Sequence, residues 1–263
     1  MDLGLTNKVA LVAAASRGLG RAVAEELAQE GASLILCARG EKLLEETCEA
    51  IERKTNVQVI GIAADLSITT EVERVVSLGL ERFNRIDILV TNVGGPPAGQ
   101  FETLSPQMWE DATRLLLTSV LDLTRLTLPQ MKARGWGRIL NITSIAVKQP
   151  VANLMLSNSL RAAVTGFART LANEVATFGI TVNNILPGYT RTERVEQLAQ
   201  AVAAKDGVTP EEVYARWEAE IPMKRIGEPR EFAALAAFLV SERASYITGS
   251  SIAVDGGWIR SLL

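Results

Sequence analysis

The chain has 263 residues, of which 48% are hydrophobic and 22% charged, and its formal net charge is −3. It contains no histidine and only two cysteines, Cys37 and Cys48, which excludes imidazole-dependent catalysis, a thiolate metal cluster and a disulfide framework. A weakly acidic chain also lacks the basic patch that attracts nucleic acid or an anionic membrane surface. We therefore expect a reduced, cytoplasmic protein with no metal site that binds neither nucleic acid nor a membrane.

Short apolar runs alternate with longer amphipathic segments along the chain. The predicted strands are residues 9–13, 33–38, 57–63, 86–91, 137–143, 181–186 and 251–254. The predicted helices are residues 19–29, 41–53, 69–83, 106–134 with a bend near Pro129, 153–178 and 228–240, with a helical excursion at about 190–225. Nearly continuous, β-branched strands separated by helices are typical of a parallel sheet covered on both faces. The pattern predicts an α/β protein with a doubly wound, Rossmann-like parallel sheet, in a single domain over residues 1–263.

A glycine-containing turn at residues 13–20 follows the first strand and opens into a helix. Gly18 and Gly20 would let the backbone approach a pyrophosphate at the helix N-terminus, where N–H groups and the dipole favour anions. An ordinary strand-to-helix turn is the alternative. At the end of the second strand, Arg39 stands where an enzyme that prefers NAD carries an acid. Arg17 and Arg39 can grip a 2′-phosphate, which predicts NADP(H), unless both are simply solvated surface arginines.

Further motifs occur in an order that is typical of one family. They are Ser16, Arg17, Gly18, Leu19 and Gly20; Asp65 and Leu66; Asn92, Val93 and Gly94; residues 137–144; Pro187, Gly188 and Thr192; and residues 246–249 and 254–257. With these motifs the whole chain resembles the short-chain dehydrogenase/reductases, most closely the 3-oxoacyl-acyl-carrier-protein reductases. The resemblance implies the same fold and a carbonyl reductase activity that depends on a nicotinamide cofactor.

The resemblance also assigns cofactor contacts. It implies that Asp65 contacts adenine and that the Pro187-Gly188 turn contacts nicotinamide. The complete predicted set for NADP(H) is Ser16, Arg17, Gly18, Leu19, Gly20, Arg39, Asp65, Leu66, Asn92, Gly94, Arg161, Pro187, Gly188 and Thr192. One departure lies in the loop, because the family has glycine where this chain has Ala14, and alanine resists a positive φ.

The catalytic group departs further from the family, which uses Asn, Ser, Tyr and Lys. Alignment on residues 162–166 places Ser157 at the tyrosine position and Arg161 at the lysine position, while Leu116 or a neighbour replaces the asparagine. Ser144 alone is retained, and it would hydrogen-bond the substrate carbonyl oxygen. Ser157 and Arg161 share one helix face, and Arg161 can hydrogen-bond the nicotinamide ribose without carrying a proton. The predicted catalytic residues are therefore Ser144, Ser157 and Arg161.

The sequence leaves three candidates for the proton donor that would replace the family's tyrosine. Tyr189 follows the nicotinamide turn, and Lys148 lies on a loop expected to border the substrate. A water molecule polarised by the two serines is the third. Asp87 is expected to be an ordinary surface or capping carboxylate. Candidates for lining the substrate pocket are Arg191, Arg194, Tyr214 and Trp217.

Three functions are compatible with these residues. The first is NADP(H)-dependent reduction of a small-molecule carbonyl substrate, free or on an acyl carrier, through an altered proton relay. The second is a non-catalytic member of the family that binds NADP(H) or a partner, and the third is a non-redox lyase or isomerase. The resemblance further implies a homotetramer that packs through helices 106–134 and 153–178. The second helix is apolar on much of its surface, which favours a partner, although burial within one subunit is the alternative.

Overall fold

The computed structural model describes residues 2–262. Seven parallel strands form one sheet in the order β3-β2-β1-β4-β5-β6-β7, which confirms the predicted doubly wound α/β architecture. The strands are β1 (Val9–Ala13), β2 (Ser33–Ala38), β3 (Val59–Ala63), β4 (Ile88–Thr91), β5 (Gly137–Ile142), β6 (Ile180–Pro187) and β7 (Ser251–Val254). The strand order reverses between β1 and β4, and the crevice beyond the carboxyl ends of these strands is where such sheets bind ligands.

The helices cover both faces of the sheet. They are α1 (Gly18–Gln29), α2 (Glu41–Lys54), α3 (Thr69–Phe83), α4 (Pro106–Thr113), α5 (Ser119–Arg134), α6 (Met155–Val175), α7 (Glu193–Asp206), α8 (Pro210–Glu220) and α9 (Pro229–Leu239). Side chains of β1 alternate between the two cores: Ala10 and Val12 pack under α1, α2 and α9, and Val9 and Leu11 under α3, α5 and α6. This alternation explains why the strands are hydrophobic throughout.

The predicted single helix over residues 106–134 is wrong in one respect. It is divided into α4 and α5 by a π-helical turn, Arg114–Thr118, whereas Pro129 lies inside α5. The turn contains neither glycine nor proline, so sequence periodicity gives no sign of its extra residue. The other boundaries differ from the predictions by three residues or fewer, as at the end of α6, where the helix stops at Val175 and a 3₁₀ turn follows.

The apolar face of α6 is buried within the subunit. Val164, Ala168, Leu171 and Val175 are buried, and Phe167 is partly buried against the sheet. These side chains therefore do not by themselves require a second subunit. Residues 2–262 include no helix that is both long and apolar enough to cross a bilayer.

Asp87 is fully buried, which corrects its predicted surface position. Its carboxylate accepts the backbone N–H of Val9 at 2.9 Å and two hydrogen bonds from Arg85 at 2.8 and 2.7 Å. Arg134 lies 3.5 Å away. Burial of a charge is tolerated here because the charge is paired and hydrogen-bonded.

Candidate active site

The glycine loop between β1 and α1 has the backbone that a dinucleotide requires, although one residue is strained. Ala14 has φ of 50° and Gly18 has φ of 59°. A Cβ at Gly20 would collide with the Ala14 carbonyl oxygen and lie 2.9 Å from the Asn92 amide nitrogen. Only glycine therefore fits at position 20, where α1 packs against the loop. The expected conflict at Ala14 is present, and the surrounding packing holds that alanine in the left-handed region.

The N-terminus of α1 is prepared for an anion. Within residues 2–262, no side chain caps this end, and no acidic residue occupies the first turn. Its free N–H groups and dipole therefore point into the crevice. Gly94, just beyond β4, has open space around it, so a ligand can pass close to the backbone there. Ser16 is buried, and its carbonyl accepts a hydrogen bond from Thr47 at 3.0 Å, which ties the loop to α2. These features fit a bound dinucleotide.

The predicted adenine end lies beyond β2 and β3. Burial alone would raise the pKa of Asp65, but hydrogen bonds from Ser67 and the charge of Arg39 hold that pKa below its ordinary value. Leu66 is buried beside it. Arg17 is turned elsewhere, because its Nη1 lies 2.6 Å from Glu193 Oε2 at the start of α7. Of the two arginines predicted to bind one phosphate, Arg17 therefore pairs with Glu193, whereas the charge of Arg39 acts on Asp65.

The turn predicted to contact nicotinamide, Pro187-Gly188, lies against the end of β7 and near the glycine loop. The N–H of Gly188 donates to the Val254 carbonyl at 2.9 Å, and a Cβ at Gly188 would lie 2.7 Å from the Cα of Asp255. The turn therefore requires glycine after Pro187. Thr192 caps α7, and its methyl lies 3.8 Å from the position that a Cβ on Gly18 would occupy.

The predicted catalytic residues lie on two neighbouring elements, with Ser144 just beyond β5 and both Ser157 and Arg161 in the first turns of α6. Ser144 Oγ accepts the backbone N–H of Ala146 at 3.1 Å, which leaves its own proton available. Ser157 is buried in the first turns of α6. Arg161, one turn further along, donates from Nη1 to the Ile142 carbonyl at 2.9 Å. Burial lowers the pKa of Arg161 to about 10, and no acidic side chain among residues 2–262 offsets this effect. The guanidinium stays charged at neutral pH.

Thr143 is a polar group of the site that the sequence reasoning missed. Its Oγ1 is buried and has no hydrogen-bond partner within the described part of the chain. Thr143 also lines a small cavity with room for about one water molecule. The cavity is lined by Thr91, Asn92, Val93, Leu116, Val120, Ile142, Thr143, Arg161 and Val164. The sequence shows Thr143 as the neighbour of Ser144, but it does not show that its hydroxyl is unpaired.

Leu116 occupies the π-helical turn between α4 and α5. Its side chain is buried and packs in an apolar cluster with Leu104, Leu156 and Leu160. The side chain at this position therefore makes hydrophobic contacts where the family's asparagine would offer an amide.

The two alternative side-chain acids receive no support from their surroundings. The Tyr189 ring stacks on Trp217 with centroids 4.6 Å apart and meets Trp258 edge-on at 6.3 Å. Burial, followed by the charge of Glu220, raises the pKa of Tyr189, which makes it a weaker acid. Lys148 is exposed to solvent. We call α7 and α8, with the apolar cluster between them, the α7–α8 cap. Tyr189 therefore belongs to the core of this cap.

Of the four residues predicted to line the substrate pocket, some pack inside the cap and one lies at the crevice. Trp217 is buried inside the cap, with Tyr214 packed edge-on against it at 5.6 Å. Arg191 bonds to Glu228 at 3.3 Å. Arg194 alone reaches the crevice, where its guanidinium lies 3.2 Å from the position that a Cβ on Gly95 would take.

A glycine loop at the switch point of a doubly wound sheet, with hydroxyl and guanidinium groups at the neighbouring strand end, defines a dinucleotide-dependent oxidoreductase. A family described as enoyl-(acyl carrier protein) reductase matches residues 13–259. The chain is 32% identical to a 3-oxoacyl-acyl-carrier-protein reductase of Aquifex aeolicus over 257 residues, covering 98% of this chain and 99% of the relative. It is 31% identical to an NADPH-dependent reductase of Bacillus subtilis over 259 residues, covering 98% and 100%.

Among solved structures, L-sorbose reductase from Gluconobacter frateurii in complex with NADPH and L-sorbose superposes with a TM-score of 0.95. It is 35% identical, and the match covers 100% of both chains. The chain belongs to the short-chain dehydrogenase/reductase family, and it is an oxidoreductase similar to the 3-oxoacyl-acyl-carrier-protein reductases. Relatives of nearly equal identity bear names with different substrates, so overall similarity does not select one.

Proposed function

We propose that this protein reduces the carbonyl group of a small molecule with NADPH, in the manner of a 3-oxoacyl reductase, through an altered proton relay. The observation that carries the proposal is that the N-terminus of α1, uncapped by any side chain of residues 2–262, and the Arg161–Ile142 hydrogen bond, two residues before Ser144, lie at the carboxyl ends of strands of one parallel sheet. The cofactor assignment is supported by Arg39 at the end of β2 and by relatives and solved structures described with NADPH.

The proposed reaction adds a hydride to the carbonyl carbon and a proton to the oxygen. When bound, NADPH supplies the hydride and leaves as NADP⁺. Ser144 keeps a free hydroxyl proton with which to hold the carbonyl oxygen, and Arg161 places a positive charge beneath the site. Both groups would stabilise the negative charge that develops on that oxygen.

The proton is assigned to water. Ser157 is a much weaker acid than a phenol, and Arg161 holds its proton at neutral pH. The cavity lined by Arg161 and Thr143 has room for about one water molecule, and the buried Thr143 hydroxyl has no hydrogen-bond partner within residues 2–262. A water there would give its proton to the oxygen and leave hydroxide, which exchanges with solvent.

The substrate is proposed as a carbonyl compound that is either free or attached to an acyl carrier. The cytoplasm is the proposed location, and a homotetramer is the proposed assembly. Arg194 lies close to Gly95 just beyond β4, so it is the first candidate for contact with substrate. Light scattering at micromolar concentration checks the assembly, and a monomer would contradict it.

The test of the proposed function begins with titration of the full chain with NADPH and NADH. Turnover is then measured as NADPH oxidation with a 3-oxoacyl thioester and a ketose. We expect NADPH to bind and at least one carbonyl compound to be reduced, with the Ser144→Ala variant about 10²-fold slower. Thr165→Ala is the control, because its hydroxyl donates to the Arg161 carbonyl within the same helix, at 2.9 Å. Absence of NADPH binding, or turnover that Ser144→Ala leaves unchanged, would overturn the proposal.

A further inference from the structure

Three consecutive residues, Thr192 to Arg194, connect the α7–α8 cap to both sides of the dinucleotide crevice. The Thr192 methyl lies 3.8 Å from the position that a Cβ on Gly18 would occupy, and Glu193 bonds to Arg17 at 2.6 Å. On the other side of the crevice, Arg194 lies over Gly95. We call residues 192–194 the strap. Because the strap starts α7, any movement of the cap moves these contacts as well.

The Arg17–Glu193 pair connects the glycine loop, which is proposed to bind the cofactor, with the first residue of the α7–α8 cap. Arg17 is one of the two arginines proposed for the 2′-phosphate of NADP(H), and Glu193 is the first residue of the cap helix. A carboxylate 2.6 Å from the guanidinium neutralises part of the charge that a phosphate would encounter and fixes the side chain toward the cap. Arg39 has no such competitor among the salt bridges of residues 2–262, and its charge acts on Asp65.

We propose that Glu193 competes with the 2′-phosphate of NADP(H) for Arg17 and thereby lowers the preference for NADP(H) over NAD(H). Binding of the phosphate to Arg17 would break the Arg17–Glu193 pair. The inference rests on the proposed use of NADP(H). NADH lacks the 2′-phosphate and leaves the Arg17–Glu193 pair intact.

The size of the effect follows from the exposure of the pair. The side chains of Arg17 and Glu193 are 56% and 54% exposed, so solvent weakens their attraction. Exposed pairs of this kind alter equilibria by about two- to fivefold. We therefore expect Glu193→Gln to tighten NADPH binding by about two- to fivefold and to leave NADH binding unchanged.

The experiment measures dissociation constants for NADPH and NADH with the full chain and four variants. These are Glu193→Gln, Arg17→Gln, the double variant, and Glu196→Gln as the matched control. Glu196 also lies in the first turn of α7, so it controls for the loss of a charge at the helix N-terminus. In the Arg17→Gln background, Glu193→Gln should have no effect on NADPH binding, because the competition no longer exists.

The outcomes separate the inference from the proposed function. If the unmodified chain binds neither nucleotide, the proposed function fails and the inference fails with it. If NADPH binds but Glu193→Gln weakens it, leaves it unchanged, or shifts NADPH and NADH equally, only the inference is overturned. Persistence of the Glu193→Gln effect without Arg17 would also overturn it. Thermal unfolding of each variant confirms that the compared proteins are folded.

Discussion

The glycine loop and the start of α6 differ in how strongly the fold constrains their residues. At the loop, Ala14 is held at a φ of 50° that favours glycine, so the backbone geometry comes with strain. On α6, Ser157 and Arg161, the residues predicted to stand at the family's acid and cation positions, have ordinary helical conformation. Close backbone packing around Gly20 prevents substitution by a residue with a side chain, whereas a helix face accepts any side chain that fits. Chemistry can therefore change on α6 while the fold and the cofactor crevice persist.

The largest expected effect comes from removing the guanidinium charge of Arg161 on α6. Arg161→Met should lower kcat/KM for carbonyl reduction by about 100-fold, because the developing oxyanion loses the positive charge proposed to stabilise it. Its free energy of unfolding should not fall, since a partly buried cation without an acidic partner in residues 2–262 is replaced by an apolar side chain. Steady-state kinetics and urea unfolding measure the two quantities.

Arg169→Met is the matched control for this charge. Arg169 lies on the same helix and donates to the Gly249 carbonyl at 3.2 Å, away from the strand end that carries Ser144. Its kcat/KM should stay within about twofold of the unmodified protein. Equal losses in both variants would mean that α6 arginines act on stability or assembly and not on the reaction.

The second effect tests the close packing of the loop. Gly20→Ala should lower the free energy of unfolding by about 1–3 kcal/mol and weaken NADPH binding, because its Cβ collides with backbone. Gly166→Ala is the control, since nothing in the described chain lies within 4 Å of its Cβ position on α6. That substitution should raise the free energy of unfolding by about 0.5–1 kcal/mol. Chemical denaturation distinguishes the opposite signs, and a stable Gly20→Ala protein would refute the packing argument.

A smaller gain is expected from relieving the strain at position 14. Ala14→Gly should raise the free energy of unfolding by about 0.5–1 kcal/mol, because glycine adopts positive φ without steric cost. Ala15→Gly serves as the comparison: Ala15 is fully buried, so loss of its methyl should destabilise by about 1 kcal/mol. Thermal unfolding measures both, and equal destabilisation would show that Ala14 is not strained.

The smallest expected effect is a flat pH profile. Because burial leaves the pKa of Arg161 at about 10, its charge is unchanged across neutral pH, and water as donor adds no titrating group. The kcat for reduction should therefore be constant from about pH 6 to 9 and fall above about pH 10 as Arg161 loses its proton. Steady-state rates at saturating NADPH measure this profile. A step near neutrality would reveal another acid in the site.

Local sequence is enough to predict the sheet and the strained glycine loop. Alternating buried strands and amphipathic helices have periods that local residues fix, so the sequence predicts the bounds of β1, β2 and β7 to the residue. The strain at Ala14 is also predictable, since a single methyl conflicts with a local backbone angle. Position within motifs predicts Ser144, Ser157 and Arg161 as catalytic residues, and that assignment stays a prediction.

Tertiary structure alone decided the contacts between residues distant in the chain. The π-helical turn at Leu116, the burial of Asp87 and the packing of Tyr189 on Trp217 all depend on what neighbouring elements present to each side chain. The pairing of Arg17 with Glu193 joins positions 176 residues apart, which no local pattern encodes. Sequence periodicity reports which face of an element is buried, whereas hydrogen-bond partners and cavities arise only when separate elements meet.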